Sequence, residues 1–139
     1  MKTVFFQGAF DILNAGHVMA LAEAAERGRL VIGLNSDELI RWYKKREPII
    51  PFDQRKEILL ALRSVDEVIC CHEPMAINYL RQLDASAYCV VDEWCDQQLE
   101  AINWIKAQGG EVFVPTYYPD GGVILSSSDI RRRIAEGVA

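Results

Sequence analysis

The chain has 139 residues, half of them hydrophobic, and a formal net charge of −5, which is enough apolar material for one compact core and too little length for a comfortable second domain. No apolar run approaches the roughly 20 residues of a membrane span, and the first residues lack the zones of a signal peptide, so a soluble, cytoplasmic protein is expected. The acidic balance argues against a general nucleic-acid binder, but basic stretches at Arg41 to Arg46 and Arg131 to Arg133 leave room for a small polyanionic ligand; two solvated basic faces are the plain alternative.

Strand-length apolar runs recur at Thr3 to Phe6, Leu30 to Leu34, Glu67 to Cys71, Tyr88 to Val91 and Val112 to Val114. Between and after them, helices are expected over Gly16 to Arg27, Asp37 to Tyr43, Phe52 to Ser64, Ala76 to Leu83, Cys95 to Gln108 and Ser127 to Ala135. In Phe52 to Ser64, the apolar Ile58, Leu59, Leu62 and Val65 recur at helical spacing, and Gly109-Gly110 supplies a stop before the fifth strand. This alternation indicates a single α/β domain, Rossmann-like and doubly wound, with a five-stranded parallel sheet. Cys70, Cys71, Cys89 and Cys95 lack metal-knuckle or redox spacing and read as reduced interior thiols. Pro115 to Gly122 is the candidate loop.

The stretch Val4 to His17 stands out. A short apolar strand runs into Gly8, and a polar turn through Asp11 reaches Gly16-His17 at a helix start. Unpartnered amides and the dipole of such a helix point toward the end of the preceding strand, which is the shape of an anion site. In an open parallel sheet, ligands lie beyond the carboxyl ends of the strands, where strand order reverses.

Gly8-Ala9-Phe10-Asp11 with Asn14-Ala15-Gly16-His17, and Leu125-Ser126-Ser127-Ser128-Asp129-Ile130-Arg131 near the other end, resemble the two signatures of the nucleotidyltransferase superfamily that includes cytidylyltransferases and several adenylyltransferases. The resemblance covers essentially the whole chain. It extends to glycerol-3-phosphate cytidylyltransferases through Arg55, Arg63 and Val65 to Val68, and to the adenylyltransferase domain of heptose-phosphate enzymes through Phe10 to Leu13 and Gly109 to Val112.

That resemblance implies attack by a phosphate oxygen of a small acceptor on the α-phosphorus of a nucleoside triphosphate, with pyrophosphate leaving and Mg²⁺ carried on the triphosphate. It implies His17 as donor to the α-phosphate, with Asn14 and Lys44 beside it in catalysis. Nucleotide binding falls to Gly8, Ala9, Phe10, Asp11, Gly16, Asp92, Trp94, Ser126, Ser127, Ser128 and Arg131. Asp11, Arg55 and Arg63 are the candidates for the acceptor, the two arginines as a clamp from one helix face. Ser126 to Asp129 also has the spacing of a helix cap. No protein-held metal is expected, and a homodimer is.

The leading expectation is CTP with a small phosphorylated alcohol such as glycerol-3-phosphate. ATP with a sugar phosphate is the alternative. A second alternative is a nucleotide-binding relative without turnover. It follows from three departures: Asn14 replaces the first motif histidine, Val91 replaces a glycine before Asp92-Glu93-Trp94, and Tyr118 to Gly122 lacks the superfamily's arginine.

Overall fold

The computed structural model describes residues 2–91, 94–116 and 125–137. Five strands, β1 (Thr3–Gly8), β2 (Arg29–Asn35), β3 (Glu67–Cys71), β4 (Ala87–Cys89) and β5 (Glu111–Phe113), form one sheet in the order β3-β2-β1-β4-β5. Every pairing is parallel. Six helices accompany them: α1 (Ala15–Ala25), α2 (Asp37–Lys44), α3 (Phe52–Leu60), α4 (Ile77–Leu83), α5 (Leu99–Ala107) and α6 (Ser127–Ala135). The expected doubly wound α/β domain is therefore the one observed.

Strand β1 is central because it is apolar on both faces. Val4 and Phe6 point into one core layer with Leu21 and Leu59, and Phe5 points into the other with Leu80 and Ile105. Such two-faced burial is what a parallel sheet covered by helices requires. The chain builds β1, β2 and β3 outward on one side, then returns to place β4 on the other side of β1. Strand order thus reverses between β1 and β4, where Phe6 pairs with Cys89, and a crevice opens beyond their carboxyl ends.

Two elements depart from expectation by more than two residues at one end. Helix α3 stops at Leu60 instead of Ser64, because the amides of Ala61, Leu62 and Val65 turn to carbonyls three residues back. Tight turns of this kind end an α-helix; Ile58 is left 38% exposed while Leu59 is buried. Helix α5 begins at Leu99 instead of Cys95, after turns that bury Gln98. The Gln98 amide donates to Pro74 O and accepts from Ala76 N, binding this turn to the segment after β3. The interior-thiol expectation holds for Cys71 and Cys89, but Cys70 is exposed on the edge strand. Among the described residues no helix is long and apolar enough to cross a membrane.

Candidate active site

A cavity of about 550 Å³ lies in the crevice beyond β1 and β4. Helices α1 and α6, from opposite ends of the chain, both bring their N-termini to it. Asn14 caps α1: its Oδ1 accepts from Gly16 N at 3.0 Å and His17 N at 3.4 Å. In return the backbone N of Asn14 donates to His17 Nδ1 at 3.2 Å, which closes a capping box. Helix α6 has a box of its own, with Ser126 and Asp129 exchanging bonds. The donated Ser126 bonds hold the Asp129 carboxyl below the usual carboxylate range.

The two caps are joined. Asn14 Nδ2 donates to Ser127 Oγ at 3.3 Å, and Ser127 Oγ donates to Asp11 O at 2.8 Å. Asn14 thereby bonds through both ends of its amide to the protein and is absent from the cavity lining. The bonds it makes are structural: the residue fastens one helix start to the other. Gly16 is likewise buried behind the site, its amide taken by Asn14.

Asp11 is a second junction. It is 4% exposed, and its carboxylate accepts from Ile49 N at 2.7 Å, Ile50 N at 2.9 Å and Arg131 Nη2 at 2.7 Å. One side chain thus holds the turn after β1, the segment between α2 and α3, and helix α6. These three bonds fix the Asp11 carboxylate at the edge of the cavity, which it also lines. The flanking Phe10 and Ile12 have φ of 48° and 53°. Left-handed backbone is costly for such side chains, about 1–3 kcal/mol each, and persists where surroundings over-determine it. Here the Phe10 ring is buried edge-on to Phe6, 5.3 Å between centroids, and a Cβ at residue 8 would stand 3.0 Å from it. Glycine at 8 is what lets the ring lie there.

His17 lines the cavity with Lys44. Burial, reinforced by the Lys44 charge and opposed by Asp11, lowers its pKa from 6.5 to about 4. The ring is therefore neutral at pH 7. Because Nδ1 accepts from the Asn14 amide, the proton sits on Nε2, so the side chain is a donor. Lys44 Nζ lies 5.8 Å from the centroid of the Tyr43 ring. Ser128 faces the same space, as do Gly8, Ala9, Phe10, Ser126 and Ser127. The hydroxyls of Ser126 and Ser127 are committed to the caps. Arg131 pairs with Asp11, and its buried Nε has no partner among the described residues.

The arginine clamp is not formed. Arg55 is 1% exposed, and its guanidinium donates to Ile50 O, Ala9 O, Asn35 O and Asp37 Oδ1 at 2.6–2.9 Å. It fastens the chain behind the cavity. Arg63 is exposed beyond the end of α3, just before β3 begins. Helix α3 runs from the carboxyl end of the sheet to the amino end, so Arg63 lies at the end away from the cavity. Trp94 does line the cavity, edge-on to Tyr43 with centroids 5.8 Å apart, and Val91 lines it too. Asp92, Glu93 and residues 117–122 of the expected loop lie outside the described residues.

Sequence reasoning missed Gln7, Asn35 and Tyr43, all of which line the cavity. Gln7 and Asn35 are the amides that close the apolar runs of β1 and β2 at the carboxyl edge, and that placement was the available signal.

A cytidylyltransferase-like family model matches residues 5–133, nearly the whole chain and both cap motifs. The chain belongs to the cytidylyltransferase-like family. Among curated relatives it is similar to "Bifunctional protein HldE" of Alcanivorax borkumensis, 34% identical over 137 residues, and of Methylobacillus flagellatus, 33% identical over 136. These alignments cover 97% and 96% of this chain but only 28% and 27% of those proteins. The chain therefore spans little more than a quarter of their length. Among solved structures it resembles a lipopolysaccharide core biosynthesis protein from Thermoplasma volcanium, with a TM-score of 0.67 and 27% identity over 82% of this chain and 93% of that one. A protein from Archaeoglobus fulgidus at 20% identity and a TM-score of 0.64, covering 88% and 96% of the two chains, shares the fold. The matched span takes in both capped helix starts, at Asn14 and at Ser126.

Proposed function

We propose that the chain transfers the nucleoside monophosphate of ATP to a phosphorylated sugar, releasing pyrophosphate. The observation that carries nucleotidyl transfer is the convergence of the α1 and α6 N-termini, with neutral His17 and Lys44, on one cavity at the strand-order switch. An oxygen of the acceptor phosphate forms a bond to the α-phosphorus, and the bond from that phosphorus to the β-bridging oxygen breaks. His17 Nε2–H donates to the α-phosphate as charge shifts, and Lys44 with Ser128 and the α6 amides takes the β- and γ-phosphates. A divalent ion enters as part of the metal–nucleotide substrate. Asp11 and Asn14 hold these groups in register.

The choice of ATP and a sugar phosphate is supported by the 34% identity to HldE over almost the whole chain and by the resemblance of Phe10 to Leu13 to heptose-phosphate adenylyltransferase domains. CTP with glycerol-3-phosphate, the other reading, rests on the Asp92-Glu93-Trp94 segment, of which Trp94 lines the cavity, and on Arg63, which stands away from it. Pyrophosphate release measured over ATP and CTP, each with sugar 1-phosphates and glycerol-3-phosphate, tests both. Release with ATP and a sugar 1-phosphate is expected. Release only with CTP would overturn the nucleotide assignment, and no release with any pair would overturn turnover itself.

A further inference from the structure

The edge of the sheet carries a pair of metal-ligating side chains that nucleotidyl transfer does not use. Strand β3 is outermost beyond β2, and Cys70 near its end is exposed. His72 follows the strand and is exposed too. Residues two apart in extended chain point to the same side, and here Cys70 Sγ lies 3.6 Å from His72 Nε2. Partial desolvation raises the Cys70 thiol above its ordinary pKa, so Sγ–H donates and Nε2 turns its lone pair to the sulfur. The separation is also the one a tetrahedral zinc ion imposes. With Zn–S of about 2.3 Å and Zn–N of about 2.05 Å at the tetrahedral angle, sulfur and nitrogen stand about 3.6 Å apart. Zinc would replace the thiol proton, which leaves to solvent.

One copy of the chain supplies half a site. Among the described residues no group of three or more His, Cys, Asp and Glu could hold a metal ion, whereas closed zinc sites take four protein ligands. A twofold axis through the ion would repeat the sulfur and the nitrogen from a second copy and complete a set of two cysteines and two histidines. The surroundings suit such a contact. Among the described residues no strand pairs with the outer side of β3, and an edge of this kind is open to another chain. Trp42, 61% exposed, lines a hollow of about 280 Å³ together with His72, Leu39 and Pro74; aromatic rings of this kind are enriched where chains meet. Glu38 and Glu73 line the same hollow and favour a cation beside His72.

We propose that Cys70 and His72 form half of a zinc site that joins two copies of the chain across their β3 edges. Neither residue lines the cavity beyond β1 and β4, so the ion holds the assembly together and touches no reacting group. The proposal runs against the sequence expectation that the protein holds no metal of its own, and it stands whether or not the cavity transfers a nucleotide.

The test uses the full chain, stripped of metal and kept in a phosphine reductant so that a disulfide between copies cannot stand in for the ion. Sedimentation velocity is run with and without zinc on the wild type, Cys70→Ser and His72→Asn, and cobalt replaces zinc for absorption spectra. Half an equivalent of zinc is expected to convert the wild type to a dimer, and cobalt to give the thiolate charge-transfer and d–d bands of a tetrahedral sulfur and nitrogen site. Each variant is expected to bind zinc at least about 100-fold more weakly, since losing a mere orienting partner already costs about 10- to 100-fold, and to stay monomeric where the wild type dimerises. Both side chains are exposed, so the metal-free thermal midpoints should remain within about 2 °C of the wild type. No zinc bound at about 10 μM free ion, far above the dissociation constants of closed sites, would overturn the proposal. So would one zinc on each monomer, a dimer that forms to the same extent without metal, or a zinc-driven dimer that persists in both variants.

Discussion

Replacing Asn14 separates two roles that one amide performs. Asn14→Ala removes the side-chain cap of α1, a loss worth about 1 kcal/mol, together with the bonds from Nδ2 to Ile12 O and Ser127 Oγ, worth about another 1 kcal/mol net. The sum, about 2 kcal/mol, corresponds in a domain of this size to a thermal midpoint lower by roughly 6 °C. Asn14→Asp keeps an oxygen acceptor for the Gly16 and His17 amides and places negative charge at a helix N-terminus, where it is favourable. It abolishes only the donations to Ile12 and Ser127, so its midpoint is expected to lie between those of the wild type and Asn14→Ala. Urea unfolding gives the free energies and differential scanning calorimetry the midpoints. If Asn14→Ala unfolds within about 1 °C of the wild type, the residue is not a latch. If Asn14→Asp is as unstable as Asn14→Ala, the cap contributes nothing and the bond between the helix starts carries the whole effect.

Two further expectations concern charge. Arg55→Leu leaves Asp37 without its partner and three carbonyls without a donor; Asp37, 32% exposed, is rehydrated, while acceptors left unmet behind the cavity cost about 1–3 kcal/mol, so urea midpoints should fall, whereas unchanged stability would mean that Arg55 is not a fastener. His17 should titrate near 4 in the free protein when followed by ring-proton NMR. Its folded pKa is below the unfolded value of 6.5, so the unfolded chain takes up the proton first as pH falls. The stability held above about pH 6.5 is lost between there and about 4 and is flat at higher pH for this group. A His17→Ala variant should lose that part of the pH slope, and an NMR pKa at or above 6 would contradict the neutral, Nε2-protonated donor.

The layered fold was legible because period and strand length carry it: β1 buries Val4, Phe5 and Phe6 on both faces, and the helices follow in turn. The two motifs were legible as short signatures, and their meeting follows from β1 being central. What lay beyond sequence was which atoms are consumed. Asp11 finds its partners 38, 39 and 120 residues away, and nothing in local spacing marks a carboxylate as a junction of three segments. Arg55 and Arg63 were paired by assuming a helix through Ser64; the chain tightens after Leu60, and only three-dimensional placement distinguishes a buried fastener from an exposed side chain at the far end of the sheet. Gln7 and Asn35 carry no charge and no motif, so their meaning comes from meeting near the carboxyl ends of adjacent strands, a relation that depends on strand order.

The central claim is that His17, held by the Asn14 cap, stabilises charge on a transferring phosphate. It is tested most directly by the rate of pyrophosphate release from ATP and a sugar 1-phosphate in His17→Ala against wild type, with ATP affinity and thermal midpoint recorded on the same samples. Turnover is expected to fall by about 10²- to 10³-fold, the scale of losing one preorganised donor, in a protein that remains folded and binds ATP. Folded His17→Ala protein releasing pyrophosphate within about twofold of the wild-type rate would contradict it.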